Sequence, residues 1–244
     1  MNSKKSVFAV FLLILISAAA QAQDQHYKVT LLRANPGDLL ELIDVLKDDI
    51  ENHESLGIQK PYLLRHSQGD HWDLMMIYPV DRPGVYFSDD KVAKREMSNS
   101  IEKSYGDSFF DLVSFQEEAI VAGPDLKRFE DWFETYSFFH IEIFTALAGK
   151  QAELLKQRQD ENRFYENLEM KPNFIFTRVF GPSWDIFTIG AYKSLQDFAA
   201  GTDHSFEEEN RAAIEAGFEG VNFIGSYLRS LLLRHHDTLA NKVQ

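Results

Sequence analysis

An α+β fold made of two tandem β-α-β-β-α-β units is predicted by three features of this 244-residue chain. The stretch "GDHWDLMMIY" at 69–78 returns as "GPSWDIFTIG" at 181–190. Around each copy the same apolar strand-like runs and helical runs follow in the same order, a self-similarity that marks a structural unit built twice. Both copies are apolar on both parities, Trp72, Leu74, Met76 and Tyr78 against Met75 and Ile77 in the first. A strand with water on one side would alternate more cleanly, so these strands should be covered on both faces.

The first unit, 23–123, opens with "HYKVTLLRA" (26–34) as a strand. Asn35 then suits a helix N-cap, Pro36 the first helical position and Asp38 the positive helix end. Leu39, Leu42, Ile43, Leu46 and Ile50 fall on one helical face, and Gly57 is placed to end the run. "PYLLRHS" (61–67) and "WDLMMIY" (72–78) read as a β-hairpin around a Gly-containing turn. Helical sequence at about 90–106 precedes "SFQEEAIVAG" (114–123).

The second unit, 138–244, repeats the order with "FHIEIFTAL" (139–147), a polar helix at about 150–168, "PNFIFTRVF" (172–180) and "WDIFTIGAY" (184–192). Helical sequence at about 205–217 then leads to "LLRHHDTLAN" (232–241). The segments 114–123 and 232–241 align loosely, and each reads as strand or helix. Between the units, 124–137 sets Phe129, Trp132, Phe133 and Tyr136 at helical spacing, as in a linking helix docked through an aromatic stripe.

This element order is ferredoxin-like. Over nearly the whole chain it resembles the dimeric α/β-barrel superfamily, in which two such units pack their sheets face to face. The antibiotic-biosynthesis-type monooxygenases, the haem-handling enzymes of the chlorite dismutase type and the NIPSNAP-like proteins are members. The resemblance implies an internal dimeric α/β barrel, with the pseudo-dimer inside one polypeptide.

Residues 1–22 have the three parts of a signal peptide: Lys4 and Lys5, the apolar run Val7 to Ile16, and Ala20-Gln21-Ala22 before the cleavage point. The apolar run is shorter than the roughly 18–20 residues a membrane span needs, so no stable membrane insertion is expected after cleavage. The mature chain would then hold 222 residues with net charge −15, in a periplasm or outside the cell. Such acidity argues against nucleic acid and anionic membrane surfaces. With no cysteine there is no disulfide, thiolate metal site or lipid attachment through an N-terminal Cys.

The hairpins suggest polar groups with two possible uses. Turn lengths place Arg178 opposite Asp185 and Arg65 opposite Asp73, either closing the hairpin end or holding an Arg for an anionic ligand. His140 or His235 could serve as the single axial ligand of a haem. His235 and His236 are adjacent and must diverge, and His66 and His71 lack a third ligand, so no metal site is assigned. Glu117 and Glu118 align with His235 and His236. The chain has no Gly-x-Ser-x-Gly turn, phosphate loop, dinucleotide fingerprint or His-Glu-x-x-His helix.

The expected function is therefore an exported protein that binds a small apolar or aromatic ligand in a pocket between or within the units. Arg65, Arg178, His140 and His235 are its candidate polar groups, and no catalytic residue is assigned. Two alternatives stand beside it: a cofactor-free monooxygenase-like or haem-dependent enzyme of the same fold, and a protein-interaction module without catalysis.

Overall fold

Hydrogen bonding closes eight strands into one barrel in the computed structural model, which describes residues 25–55, 59–98, 107–201 and 203–243. The first unit supplies β1 (Gln25–Ala34), β2 (Tyr62–Gln68), β3 (Leu74–Val80) and β4 (Val113–Gly123). The second supplies β5 (Phe138–Ala146), β6 (Phe174–Phe180), β7 (Ile186–Tyr192) and β8 (Leu232–Lys242). The segments left open between strand and helix are thus the strands β4 and β8.

Around the barrel the order is β1-β3-β2-β8-β5-β7-β6-β4, with every neighbouring pair antiparallel. Each unit forms a four-stranded ferredoxin-like sheet, and the two sheets join at the seams β2/β8 and β4/β6. Closure leaves none of the described strands with an unpaired edge, which removes the usual aggregation hazard of an open sheet.

The described helices are α1 (Leu39–Ser55), α2 (Pro83–Tyr86), α3 (Asp89–Ser98), α4 (Asp107–Asp111), α5 (Leu126–Thr135), α6 (Gln151–Asn167), α7 (Leu195–Ala199), α8 (Phe206–Ala216) and α9 (Val221–Leu231). None of the described helices is long and apolar enough to cross a membrane. Helix α1 starts later than its sequence suggests. The first helical bond runs from Leu42 N to the Asp38 carbonyl, and Asn35 instead donates its side chain to the Asp111 carbonyl. The cause is Gly37, whose φ of 103° turns the chain before the helix begins. Gly57, residues 99–106 and residues 1–22, on which the signal-peptide expectation rests, lie outside the described residues.

Strand parity explains the doubly apolar runs. Met75 and Ile77 of β3 join Tyr27, Val29, Leu31, Ile141, Ile143, Phe176 and Phe187 in the barrel interior. Leu74 and Met76 face outward with Leu32 under α1, where Leu42, Ile43 and Leu46 cover them. In the second unit Phe144 and Ile186 face outward against Leu154 of α6.

The interior is filled by aromatic rings. Helix α5, the linking helix, is capped by Asp125, which accepts from Arg128 N, and buries Phe129 and Phe133. Phe129 meets Tyr27 and Tyr62 edge-on at 5.7 and 4.8 Å, while Trp132 lies 4.0 Å from Phe174. Such edge-to-face contacts add roughly 0.5–1.5 kcal/mol each beyond area burial.

The repeated Gly-x-x-Trp-Asp turn has one role per residue. Gly69 presses on β8 across the first seam, and Gly181 presses on β4 across the second. Trp72 and Trp184 both enter the interior cluster. Asp73 and Asp185 clamp the ends of β1 and β5: their Oδ2 atoms accept from Ala34 N and Ala146 N, each at 2.9 Å. Their own backbone N–H groups donate to Leu32 and Phe144 at 2.8 Å.

The expected Arg178–Asp185 pair is present, with Nη2 2.7 Å from Oδ1. The expected Arg65–Asp73 pair is not formed. Arg65 lies opposite Leu74 and is exposed, and His66 holds the position facing Asp73. The two hairpins in fact share one register, since Thr177 lies opposite Ile186 as Arg65 does opposite Leu74. Counting across a tight turn fails because β2 and β6 leave their hairpin partners and pair with the other unit before the turn.

Asp185 is only 8% exposed and satisfies both a backbone donor and an Arg. Asp185→Ala is expected to cost about 2 kcal/mol by urea unfolding, with Asp73→Ala costing less because no arginine depends on it. The reverse ranking would mean that the Arg178 pair contributes nothing.

Candidate functional site

Each unit turns one sheet face outward beneath its helices, and the two faces carry different chemistry at matching positions. In the second unit β5 and β8 run side by side, with Glu142 opposite Asp237 and Phe144 opposite His235. His140 and Glu142 are two residues apart on β5, so both point to this face, as do His235 and Asp237 on β8. His236 points the other way, with Nδ1 3.1 Å from Asp70.

The four side chains converge. His140 Nε2 lies 3.1 Å from Asp237 Oδ1, and His235 Nε2 lies 3.4 Å from Glu142 Oε1 and 3.6 Å from Asp237 Oδ1. Ligating atoms of His140, Glu142 and Asp237 all fall within 4.8 Å of one another. Neighbours fix the orientations. Thr188 Oγ1 donates to Glu142 Oε2 at 3.0 Å, the His235 ring stacks on Phe144 at 4.6 Å, and His140 packs against Phe198.

Helix α6 covers this face with polar side chains that its sequence would place in water. Arg158 is only 3% exposed; it lies 3.7 Å from Glu142, pairs with Glu161, donates to Gln157 and sits over the Phe144 ring. Burial opposes ionisation of Glu142, yet His235, Arg158 and His140 hold its carboxyl below the usual range. The hydrogen bond from His140 lowers Asp237 in the same way. Burial acts to lower His140, but Asp237 and Glu142 overcome it and raise the imidazole.

In the first unit Lys28 lies opposite Ile120 as His140 lies opposite Leu239, and Thr30 lies opposite Glu118 as Glu142 lies opposite Asp237. Lys28, Thr30, Gln116 and Glu118 therefore replace His140, Glu142, His235 and Asp237. This shifts the expected alignment by one residue: Glu117 matches His236, and Glu118 matches Asp237. Pairing to β1 and β5 decides the match, and the strand sequences alone offer no anchor for it.

Here the polar groups line a cavity of about 290 Å³, smaller than the groove of about 420 Å³ beside Phe133 and Lys242. Leu32, Leu46, Met76, Phe109 and Phe110 form its apolar wall. Lys28 Nζ, Thr30 Oγ1 and Gln116 Nε2 all donate to Glu118 Oε1, at 2.8, 3.3 and 3.3 Å. Burial opposes the Glu118 charge, but Lys28 and these donors hold its carboxyl low. Burial raises the Tyr78 phenol, which stays protonated as a donor. The groove beside Phe133 sets Ile50, Pro61, Tyr62, Leu63, Phe133 and Val243 within a charged rim of Lys47, Glu51, Lys60, Glu130, Glu134 and Lys242.

Of the residues singled out from sequence, the structure brings together His140 and His235. Arg65 and Arg178 stand at the hairpin ends, and Arg178 is engaged by Asp185 and the Pro182 carbonyl. The surroundings of His140 and His235 do not fit a haem. An axial imidazole needs an apolar slot for the porphyrin, and here two carboxylates and a buried guanidinium occupy that space. Sequence reasoning missed Glu142, Arg158 and Thr188. The available signal was the pair of strand motifs His140-x-Glu142 and His235-x-Asp237, each of which sets two ligand-type side chains on one face.

No family model matches the chain, and no curated protein does. Solved structures do match it along nearly its whole length. An anthrone oxidase-like protein is 9% identical over 92% of this chain and 93% of its own, with a TM-score of 0.58. A monooxygenase-like protein from Lactobacillus acidophilus is 9% identical over 89% and 93%, with a TM-score of 0.50. A chlorite dismutase variant from Candidatus Nitrospira defluvii is 10% identical over 90% and 92%, with a TM-score of 0.51. At such identity the likeness carries the fold alone.

Proposed function

We propose that this chain, a dimeric α/β barrel closed within one polypeptide, is an exported protein that binds a small aromatic ligand bearing hydroxyl or carbonyl groups. The ligand site is the first-unit cavity of about 290 Å³. The observation that carries this reading is the lining. Lys28, Thr30, Gln116, Glu118 and Tyr78 converge in a half-open cavity backed by Leu32, Leu46, Met76, Phe109 and Phe110, so a ligand there would meet polar groups at its mouth and apolar side chains behind them. Lys28 and Tyr78 supply donors, and Glu118 supplies an acceptor. Export rests on the Lys4-Lys5, apolar and Ala20-Gln21-Ala22 pattern, and sequencing of protein recovered from the periplasm or medium should begin at Gln23.

The test uses anthrone and 1-naphthol as probes, titrated into the mature protein by calorimetry. Saturable one-site binding is expected, weakened at least about tenfold by Gln116→Trp, which fills the exposed mouth without entering the core. Asp237→Asn in the second unit should leave this binding unchanged. Failure of both probes to bind, or wild-type binding by Gln116→Trp, overturns the reading. Oxygen uptake during the anthrone titration would identify an oxidising enzyme instead of a binding protein.

A further inference from the structure

The geometry points to a divalent transition-metal site on the second unit, formed by His140, Glu142, His235 and Asp237. It is independent of the first-unit cavity and its ligand.

Separation of the donor atoms is the first argument. Around a tetrahedral ion with bonds of about 2.0–2.2 Å, neighbouring ligand atoms stand roughly 3.4 Å apart. The measured separations are 3.1 Å for His140 Nε2 to Asp237 Oδ1, 3.4 Å for His235 Nε2 to Glu142 Oε1 and 3.6 Å for His235 Nε2 to Asp237 Oδ1. Ligating atoms of His140, Glu142 and Asp237 all lie within 4.8 Å of one another and can meet one cation, and His235 Nε2, within 3.6 Å of both carboxylates, completes the set by a small ring movement.

The setting of His235 Nε2 is the second. It is buried and faces Glu142 Oε1 at 3.4 Å and Asp237 Oδ1 at 3.6 Å without an aligned hydrogen bond to either. A cation between these atoms would bind the ring nitrogen and both carboxylates together. The outer contacts suit this role. Thr188 and Arg158 engage Glu142 Oε2, leaving Oε1 on the His235 side. Stacking on Phe144 fixes the His235 ring, and such supports are what orient metal ligands. Asp237 is 58% exposed, which leaves a path for the ion.

The duplication supplies the third. At the matching place in the first unit the carboxylate Glu118 is already paired with a cation of the chain itself, Lys28 at 2.8 Å. The second unit puts His140 where Lys28 stands, His235 where Gln116 stands and Glu142 where Thr30 stands. Its face thus exchanges a built-in ammonium for a set of ligands. Two imidazoles with two carboxylates and no thiolate suit Zn²⁺, Mn²⁺, Fe²⁺ or Co²⁺ better than Mg²⁺ or Ca²⁺, which prefer all-oxygen sites.

The test is calorimetric titration of untagged mature protein with Zn²⁺, repeated with Co²⁺ to follow its visible absorption. One ion per chain is expected, with affinity reduced at least about tenfold by His235→Ala and again by Asp237→Asn. Asp237→Asn is on the exposed side, so it keeps the test valid if His235→Ala fails to fold. Lys28→Met should leave Zn²⁺ binding unchanged. Absence of stoichiometric Zn²⁺ and Co²⁺ binding, or wild-type affinity in Asp237→Asn, overturns the site.

Discussion

Gly69→Ala is expected to destabilise the barrel by about 3 kcal/mol or more and to disturb the second-unit site, although residue 69 belongs to the first unit. The added Cβ would stand 2.0 Å from the Asp237 carbonyl oxygen and 2.7 Å from Thr238 Cα, both backbone atoms of β8. No rotamer change relieves a clash with backbone, so the hairpin tip or β8 must move. Gly69 also has a φ of 125°, where a Cβ is strained at roughly 1–2 kcal/mol even in open space, and overpacking adds about 1–3 kcal/mol. Gly37→Ala separates the two contributions: its φ is 103°, but nothing lies within 4 Å of the new Cβ. Thermal and urea unfolding should rank Gly69→Ala well below Gly37→Ala. Equal losses would show that seam contact is unimportant. Gly181 makes the matching approach to Glu118 at 2.6 Å, so Gly181→Ala should show a similar but smaller loss.

Arg158→Ala is expected to cost about 3–5 kcal/mol, with Arg158→Lys recovering little. Removing the guanidinium takes the cation from the largely enclosed Glu161, leaves Glu142 with only its two histidines, and opens a gap over Phe144. Lysine restores the charge but cannot serve Glu142, Glu161 and Gln157 together, because it lacks the planar fork. Urea unfolding of the three proteins checks this directly. A loss under 1 kcal/mol in Arg158→Ala would mean that water or a neighbouring side chain already satisfies both carboxylates.

These two residues show where sequence reading stops. Gly69 is recognisable as a turn glycine from its place in "SQGDHWD", yet the need for glycine comes from β8, which lies far along the chain. Arg158 looks like one more charge on a polar helix. It is buried because α6 lies between the sheet and α8, a position that its own composition does not announce.

What the sequence by itself determined was local and periodic. The doubled Gly-x-x-Trp-Asp turn, the strand and helix periods, the aromatic stripe of α5 and the Arg178–Asp185 pair all arise from residues close in the chain. Element order was enough to identify the ferredoxin-like units and the α/β barrel. Tertiary structure decided the rest: which strands meet at the seams, the register of β4 and β8, and the meeting of His140 with Asp237 across 97 residues. Periodicity reports which face a side chain takes, and only the closed ladder of hydrogen bonds reports what stands beside it.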